Sequence, residues 1–347
     1  MPPSPPPPPL PPQYLLRQLL EGKEFALALA PGFFCFYCHC GFLSALDELG
    51  LLGGVTHIAG SSAGALVGGF LAAGMKPKDM VASVLKIDRA AIWDVGLGLG
   101  LLKGEKLQRL LEQELPRRVQ TFEACKIKLG VTTFDLQRLK TVTHTTGPLA
   151  EAMRASACFP GLFAPVPLGA DGSLHIDGGV FDRAGLVGLT ALPKSKIIVN
   201  VVFTPGPHAL PPHLQGQGAV TLITVYLSGM PQVQPFSMTT AGPVAYRAAK
   251  EATLRALTHS CHVQRPSLDR WLFFVEAAAA AAGDVPEPAA VGAGAASAGA
   301  GAGAAADGGA SAPASAAKSA RGGVAKSSPK TKKTPSPRAA AAAARKR

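Results

Sequence analysis

The chain has 347 residues, of which 47% are hydrophobic, so it is long and apolar enough to bury a sizeable core. Its formal net charge is +12, but ten Lys/Arg and no Asp/Glu fall within residues 308–347, which leaves the rest nearly neutral. The charge therefore does not indicate a nucleic-acid-binding domain, and we expect no specific nucleic-acid partner. Six cysteines without a charged-then-apolar leader do not indicate a secreted disulfide framework, so we expect a cytoplasmic chain or one peripheral to a membrane.

The two ends differ in composition from the middle. Residues 1–22 are rich in proline, and residues 276–347 consist mainly of alanine, glycine and serine together with the basic residues. Neither end has the large apolar side chains that could offset the entropy of ordering it. We therefore predict one globular domain at 23–275 between two disordered segments. The composition does not predict an oligomeric state.

Short apolar segments alternate with helical patterns along the domain. Strands are predicted at 25–30, 55–58, 127–135, 141–145, 175–180 and 196–203, and helices at 42–49, 63–74, 78–85, 104–115 and 149–156. This alternation favours a parallel α/β sheet with right-handed crossovers. Two long apolar runs, 25–46 and 51–75, are interrupted by Pro31-Gly32 and by a glycine-rich turn, which favours buried strands over membrane helices.

The segment VTHIAGSSAGALVGGF, residues 55–70, has the pattern of a nucleophile elbow. In this G-x-S-x-G arrangement Ser62 is the central serine, and Gly60 and Gly64 give the strand and the helix room to pass close together. The helix start would also point backbone N–H groups at a developing oxyanion. We predict Ser62 as a nucleophile, whereas the neighbouring Ser61 lies off the centre of the elbow.

A nucleophilic serine needs a base, and the residues alone leave two arrangements open. A triad would use a late histidine, and the candidates are His208, His213, His259 and His262. A dyad would use Asp177, which stands where the segment HIDGGV leaves a predicted strand. The Asp-Gly-Gly turn formed with Gly178 and Gly179 is also a common structural device, so the local pattern does not decide between these arrangements.

One motif near the first strand points to other chemistry. Cys35, Cys38 and His39 spell C-x-x-C-H, the pattern of covalent haem attachment. No second Cys/His pair completes a zinc site, and the stretch is apolar, so we predict buried thiols and neither metal nor cofactor. The aromatic residues of the same stretch fit an acyl pocket and a core equally well; they are Phe33, Phe34, Phe36 and Tyr37.

The motifs read so far, taken in order, resemble the patatin-like phospholipase family. The resemblance covers residues 25–180 and rests on FALALAPG, GSSAG, GEKLQRLLE, VTTFD, GPLAEAMRASACFPGLFAPVPL and HIDGGV. It implies a three-layer sandwich with a mainly parallel central sheet covered by helices on both faces. It also implies a lipid acyl hydrolase that uses a Ser-Asp dyad without histidine or metal, with Ser62 as nucleophile and Asp177 as general base.

The sequence departs from the family pattern in the loop after the first strand. Family members usually carry a glycine-rich loop there, whose N–H groups stabilise the oxyanion, whereas this chain has Pro31 followed by Gly32, Phe33 and Phe34. The resemblance implies that the N–H groups of Gly32, Phe33, Phe34 and Ala63 are the remaining donors. Two function classes follow: a hydrolase of glycerolipid esters at a membrane or lipid-droplet surface, and a catalytically weakened lipid-binding or scaffold protein with the same fold.

Overall fold

The computed structural model describes residues 16–87, 89–96, 98–204, 211, 214 and 220–278. Its α-helices are α1 Leu16–Leu20, α2 Phe36–Glu48, α3 Ala63–Ala72, α4 Pro77–Val84, α5 Arg89–Ile92, α6 Glu105–Glu114, α7 Leu149–Ser156 and α8 Met238–Thr258. Short 3₁₀ helices lie at Leu51–Gly54, Phe122–Ala124, Gly178–Val180 and Val187–Ala191.

The strands are β1 Phe25–Leu29, β2 Val55–Ser61, β3 Gly100–Leu102, β4 Lys128–Asp135, β5 Lys140–His144, β6 Gly161–Phe163, β7 Val166–Leu168, β8 Ser173–Asp177, β9 Ile197–Val202, β10 Thr221–Ser228, β11 His262–Ser267 and β12 Arg270–Glu276. The main sheet has the order β11-β12-β10-β9-β1-β2-β4-β8-β7, with β5 also paired to β4, while β3 and β6 form a separate pair. The consecutive pairs from β12 to β4 are parallel, and the pairs at both ends of the sheet are antiparallel. The predicted mixed α/β fold with a mainly parallel sheet is confirmed.

Both faces of the sheet are covered, which explains why β1 reads as a continuous apolar run. Phe25, Leu27 and Leu29 of β1 belong to the large core cluster that contains residues of most of the α-helices. Ala26 and Ala28 belong to a second cluster with Leu186 and Leu189 of the segment around the 3₁₀ helix Val187–Ala191. The small side chains of β1 therefore face the short 3₁₀ layer, and the large ones face the α-helices.

Strand β4 brings two distant strands together end to end. Its residue Thr132 pairs in parallel with Ser61, the last residue of β2. The next residue, Thr133, pairs in antiparallel orientation with Asp177, the last residue of β8. Because β2 and β8 approach along the same edge of β4 from opposite directions, the residues at their ends must meet.

The structure corrects three sequence predictions. The ordered fold begins within the predicted disordered segment 1–22, because Leu16 and Leu20 of α1 are buried in the core. Helix α2 begins at Phe36 and not at 42, since residues from Phe36 onwards pack as a buried helix against α8. Strand β12 ends at Glu276, one residue beyond the predicted domain boundary at 275. The tail prediction for residues 279–347 falls outside the described residues.

Candidate active site

Ser62 lies at the sharp turn between β2 and α3. Its backbone has φ 53° and ψ −119°, and it is one of two non-glycine residues with positive φ among the described residues. A β-substituted residue in this region is strained, and such strain persists at functional sites where the surrounding structure enforces it. Ser62 is half-buried, whereas Ser61 is fully buried, so only the predicted nucleophile is open to a substrate.

Two glycines allow this turn to close. A side chain on Gly60 would collide with the backbone of Gly64, and a side chain on Gly64 would collide with the carbonyl of Leu29 at the end of β1. The elbow therefore packs backbone against backbone, which only glycine permits at these positions. Both glycines lie where the G-x-S-x-G pattern places them.

Asp177 lies next to Ser62. The Ser62 hydroxyl donates a hydrogen bond to Asp177 Oδ2 at 2.7 Å, and the N–H of Gly179 donates to Oδ1, also at 2.7 Å. The Asp177 residue is only 4% exposed, and this burial raises the pKa of its carboxyl to about 6, against the lowering effect of its two hydrogen bonds. Such a carboxylate is a stronger base than an exposed one and is still ionised at neutral pH.

The turn after Asp177 sits tightly against the loop that follows β1. A side chain on Gly178 would strike the carbonyl of Thr132, and one on Gly179 would lie 2.5 Å from Pro31 Cβ. The Asp-Gly-Gly turn is thus wedged between β4 and the loop of Pro31, which fixes the Asp177 carboxylate under the elbow.

A residue that the sequence analysis did not single out supports the elbow. The Ser156 hydroxyl, at the end of α7, accepts a hydrogen bond from the N–H of Ser62 at 2.9 Å and donates to the carbonyl of Thr132 at 2.7 Å. Ser156 is fully buried, so these bonds are shielded from water. The only signal for it was its place in the segment RASACFPG that carries the family resemblance.

The predicted oxyanion donors lie on the loop after β1 and at the start of α3. Among the described residues, the backbone N–H groups of Gly32, Phe33, Phe34 and Ala63 donate to no acceptor. The loop is held at its start by Ala30, whose carbonyl accepts from His39 Nε2–H at 2.9 Å. Burial lowers the pKa of His39 to about 4, so this histidine is neutral and serves the loop as a hydrogen-bond donor.

The aromatic residues of this stretch divide between the surface and the core. Phe36 and Tyr37 are buried in the core, whereas Phe33 is exposed and Phe34 is half-buried. Phe33, Phe34 and Cys35 line a cavity of about 280 Å³, opposite residues 227–233. This cavity shares a wall with the loop that carries the oxyanion donors.

Two other buried carboxylates near strand ends cap turns. Asp182 accepts hydrogen bonds from the Thr132 hydroxyl and from two backbone N–H groups, those of Leu186 and Val187. Asp135 likewise accepts from the backbone N–H groups of Gln137 and Arg138. Neither contacts Ser62.

Histidine does not contact the Ser62–Asp177 pair anywhere in the part of the chain that the structure describes. Of the triad candidates, His259 and His262 are exposed near the far edge of the sheet, and His208 and His213 lie outside the described residues. In the C-x-x-C-H motif, Cys38 and His39 are buried within α2, and burial raises the pKa of the Cys35 thiol to about 11. No three His, Cys, Asp or Glu residues among those described are grouped to hold a metal ion.

The central part of the chain matches a known protein family. Residues 27–188 match the family model described as patatin-like phospholipase. This part of the chain belongs to the patatin-like phospholipase family. The matched region contains the last three residues of β1, the elbow and β8, and with them both members of the Ser62–Asp177 pair.

Two mycobacterial relatives extend the similarity. An uncharacterized NTE family protein of Mycobacterium tuberculosis, Rv1063c, is 34% identical over 171 residues, which cover 45% of this chain and 43% of that protein. A second one, Rv2565, is 24% identical over 271 residues, which cover 74% of this chain and 44% of that protein. The chain thus spans less than half the length of these curated relatives.

The chain also has low similarity to two solved structures. VipD from Legionella pneumophila is 16% identical, with a TM-score of 0.40, over 61% of this chain and 51% of that chain. ExoU in its complex with SpcU from Pseudomonas aeruginosa is 17% identical, with a TM-score of 0.36, over 68% of this chain and 52% of that chain. None of the helices among the described residues is long and apolar enough to cross a bilayer.

Proposed function

We propose that this chain hydrolyses carboxylic ester bonds of phospholipids or other glycerolipids, with Ser62 as nucleophile and Asp177 as general base. The observation that carries the proposal is the 2.7 Å hydrogen bond from the strained, half-buried Ser62 hydroxyl to a buried carboxylate. The match of residues 27–188 to patatin-like phospholipases supports lipase or esterase chemistry in general terms.

The geometry suits an acyl-enzyme mechanism. Ser62 Oγ attacks the ester carbonyl carbon while Asp177 takes the hydroxyl proton, and the tetrahedral oxyanion accepts hydrogen bonds from N–H groups of the loop at Gly32 and of Ala63. The C–O bond to the alcohol then breaks, and Asp177 returns the proton to the leaving alkoxide. Asp177 next takes a proton from water, whose oxygen attacks the carbonyl carbon of the acyl-Ser62 ester. The C–O bond to Ser62 then breaks, Asp177 returns the proton to Ser62 Oγ, and the carboxylic acid leaves.

A second candidate function is lipid binding without turnover. It is favoured by Pro31, which has no N–H to donate and stands where the family usually has glycine. The loss of a single oxyanion donor can lower turnover by about 10²–10³-fold. The two candidates differ in whether Ser62 can be acylated or phosphonylated.

Labelling of the purified full chain with a fluorophosphonate serine probe distinguishes them. We expect the probe to label the wild type and Ser61→Ala but not Ser62→Ala, because the Ser61 hydroxyl is buried and cannot reach the probe. Ser61→Ala is the matched control, since it removes the same hydroxyl group one residue away. A folded wild type that does not react would reject the hydrolase and leave the binding function. Labelled Ser62→Ala would show that the probe reacts elsewhere.

A further inference from the structure

Three large aromatic side chains are exposed on segments next to the Ser62–Asp177 pair, and two leucines are exposed beside them, at the strand β3 that pairs with β6. The exposed fractions are 51% for Phe33, 72% for Leu99, 50% for Leu101, 46% for Phe159 and 61% for Phe181. We call these five residues the apolar rim. Exposed apolar side chains that group around one place are typical of an interaction surface.

Three members of the rim are connected to the site through short contacts. Phe33 lies on the loop that carries the oxyanion donors, and its ring contacts that of Phe159, with centroids 5.1 Å apart. Phe159 follows Cys158, whose carbonyl accepts the N–H of Asp177 at 2.9 Å. Phe181 closes the turn after Asp177, since its N–H donates to the carbonyl of Gly178. These aromatic side chains therefore flank the nucleophile and its base.

The two leucines extend the rim on one side. They flank Gly100 on β3, and Gly100 pairs with Gly161, two residues after Phe159. The hairpin of β3 is held by Asp94, which accepts the N–H groups of Gly104 and Lys106. Leu99 and Leu101 are thus exposed on either side of Gly100, next to the segment that follows Phe159.

The charges next to the rim are basic. Lys103 and Arg183 are exposed, and neither makes an ion pair with another described residue. Of the nearby acidic residues, Asp94 is half-buried and accepts two backbone N–H groups, Glu105 lies 3.9 Å from Arg109, and Asp177 and Asp182 are buried. An apolar surface bordered by free basic groups complements a lipid surface, which presents phosphate groups above hydrocarbon.

We propose that the apolar rim docks this protein on a lipid surface, with the rim side chains inserted between head groups and the Ser62 hydroxyl facing the bound lipids. The proposal rests on the proposed function, because docking in this orientation brings lipid esters to the nucleophile. The aromatic members suit the interfacial zone, where apolar rings gain most from leaving water.

Binding of the full chain to phosphatidylcholine vesicles tests the docking separately from hydrolysis. Every protein carries Ser62→Ala, so that no lipid is consumed, and the zwitterionic lipid removes the electrostatic attraction of the basic tail. The test variant is Leu99→Ser with Leu101→Ser. The matched control is Leu268→Ser, which removes a leucine that is 75% exposed in the turn before β12, at the opposite end of the sheet from the loop after β1.

We expect the Ser62→Ala protein and its Leu268→Ser control to co-sediment with vesicles equally, and the double leucine variant to bind at least about tenfold more weakly. If the double leucine variant has a lower melting temperature than the parent protein, Phe181→Ser provides a second variant, for which we expect the same loss of binding. Equal binding of parent and folded rim variants would overturn the proposal. Two other results would also overturn it. One is a Ser62→Ala parent protein that does not bind vesicles, and the other is a rim that only holds a protein dimer, which gel filtration would show as a shift of the rim variants from dimer to monomer. Fluorophosphonate labelling of the chain with native Ser62 reports on the hydrolase independently of all these outcomes.

Discussion

Asp177 and Asp182 are both buried carboxylates beside β4, and burial raises the pKa of each to about 6. They differ in what donates to them. Asp177 receives the hydroxyl proton of a strained, half-buried serine, whereas Asp182 receives the Thr132 hydroxyl and the N–H groups of a closed turn. A perturbed pKa by itself therefore does not identify a base in this molecule, since only Asp177 is joined to a group that a substrate can reach.

The same isosteric substitution at both positions should separate them most strongly. Asp177→Asn removes the proton acceptor, and we expect ester turnover to fall on the order of 10²–10⁴-fold. Asp182→Asn keeps a side-chain oxygen for the N–H groups of Leu186 and Val187, so turnover should stay within a few-fold of the wild type. The comparison is made with a water-soluble ester, and similar losses in the two variants would mean that Asp177 has no special role.

The pH dependence of turnover should report on Asp177 alone. Because the pKa of this carboxyl is raised to about 6, kcat/KM should rise with pH, reach half its plateau near pH 6 and fall about tenfold per unit below that. The midpoint should be the same in Asp182→Asn. A midpoint that moves with Asp182 would assign the titration to the wrong carboxylate.

The raised pKa affects stability in the opposite direction to turnover: turnover should rise with pH, whereas the free energy of unfolding should fall. A carboxyl whose folded-state pKa lies above its unfolded value of about 3.9 contributes stability below that pH, and this contribution is lost as the pH rises through about 6. For Asp182 the loss amounts to about 3 kcal/mol. Urea unfolding of wild type and Asp182→Asn at several pH values should show that the free energy of unfolding of the wild type falls relative to that of the variant between pH 4 and pH 7. A constant difference would contradict the raised pKa.

Truncation of Asp182 should affect stability more than its isosteric replacement. Asp182→Ala leaves the N–H groups of Leu186 and Val187 and the Thr132 hydroxyl without their acceptor, which should lower the free energy of unfolding by about 1–3 kcal/mol relative to Asp182→Asn. Denaturant unfolding at neutral pH measures the difference. If both variants unfold together, the turn does not depend on these hydrogen bonds.

The smallest effect should come from the support of the elbow. Ser156→Ala removes the acceptor of the Ser62 N–H and should cost about 1 kcal/mol of stability and several-fold in turnover. Ser83→Ala is the matched control, since its hydroxyl donates to Glu114 at 2.8 Å away from the site. Both variants should lose a similar amount of stability, but only Ser156→Ala should lose activity.

Local signals were sufficient for the elbow. Small residues around Ser62 and the apolar strand before it predicted the turn, because the close approach of Gly60 to Gly64 lies within five residues. The base role proposed for Asp177 came only through the family resemblance, since the pairing of β2 and β8 on β4 depends on register between segments far apart in the chain. Their meeting at Thr132 and Thr133 is a property of the sheet that no local pattern contains.

Helix α8 and the start of helix α2 were not predicted from the sequence. Helix α8 contains Gly242 and Pro243, which argue against a helix, yet it forms against α2, where a side chain on Gly41 would collide with the backbone at Tyr246. The start of α2 at Phe36 was missed because an apolar run does not distinguish a buried helix from a loop beside a pocket. In both cases tertiary packing overrode the local preference.

The end-to-end meeting of β2 and β8 also has a consequence for how the protein is made. Ser62 and Asp177 are separated by 115 residues, so at synthesis rates of about 5–20 residues per second the ribosome completes the serine several seconds or more before its aspartate. During that interval β8 has not been made, and the elbow serine has no carboxylate beside it. Under the proposed mechanism, the nascent chain therefore carries a serine without its base until β8 has been added to β4.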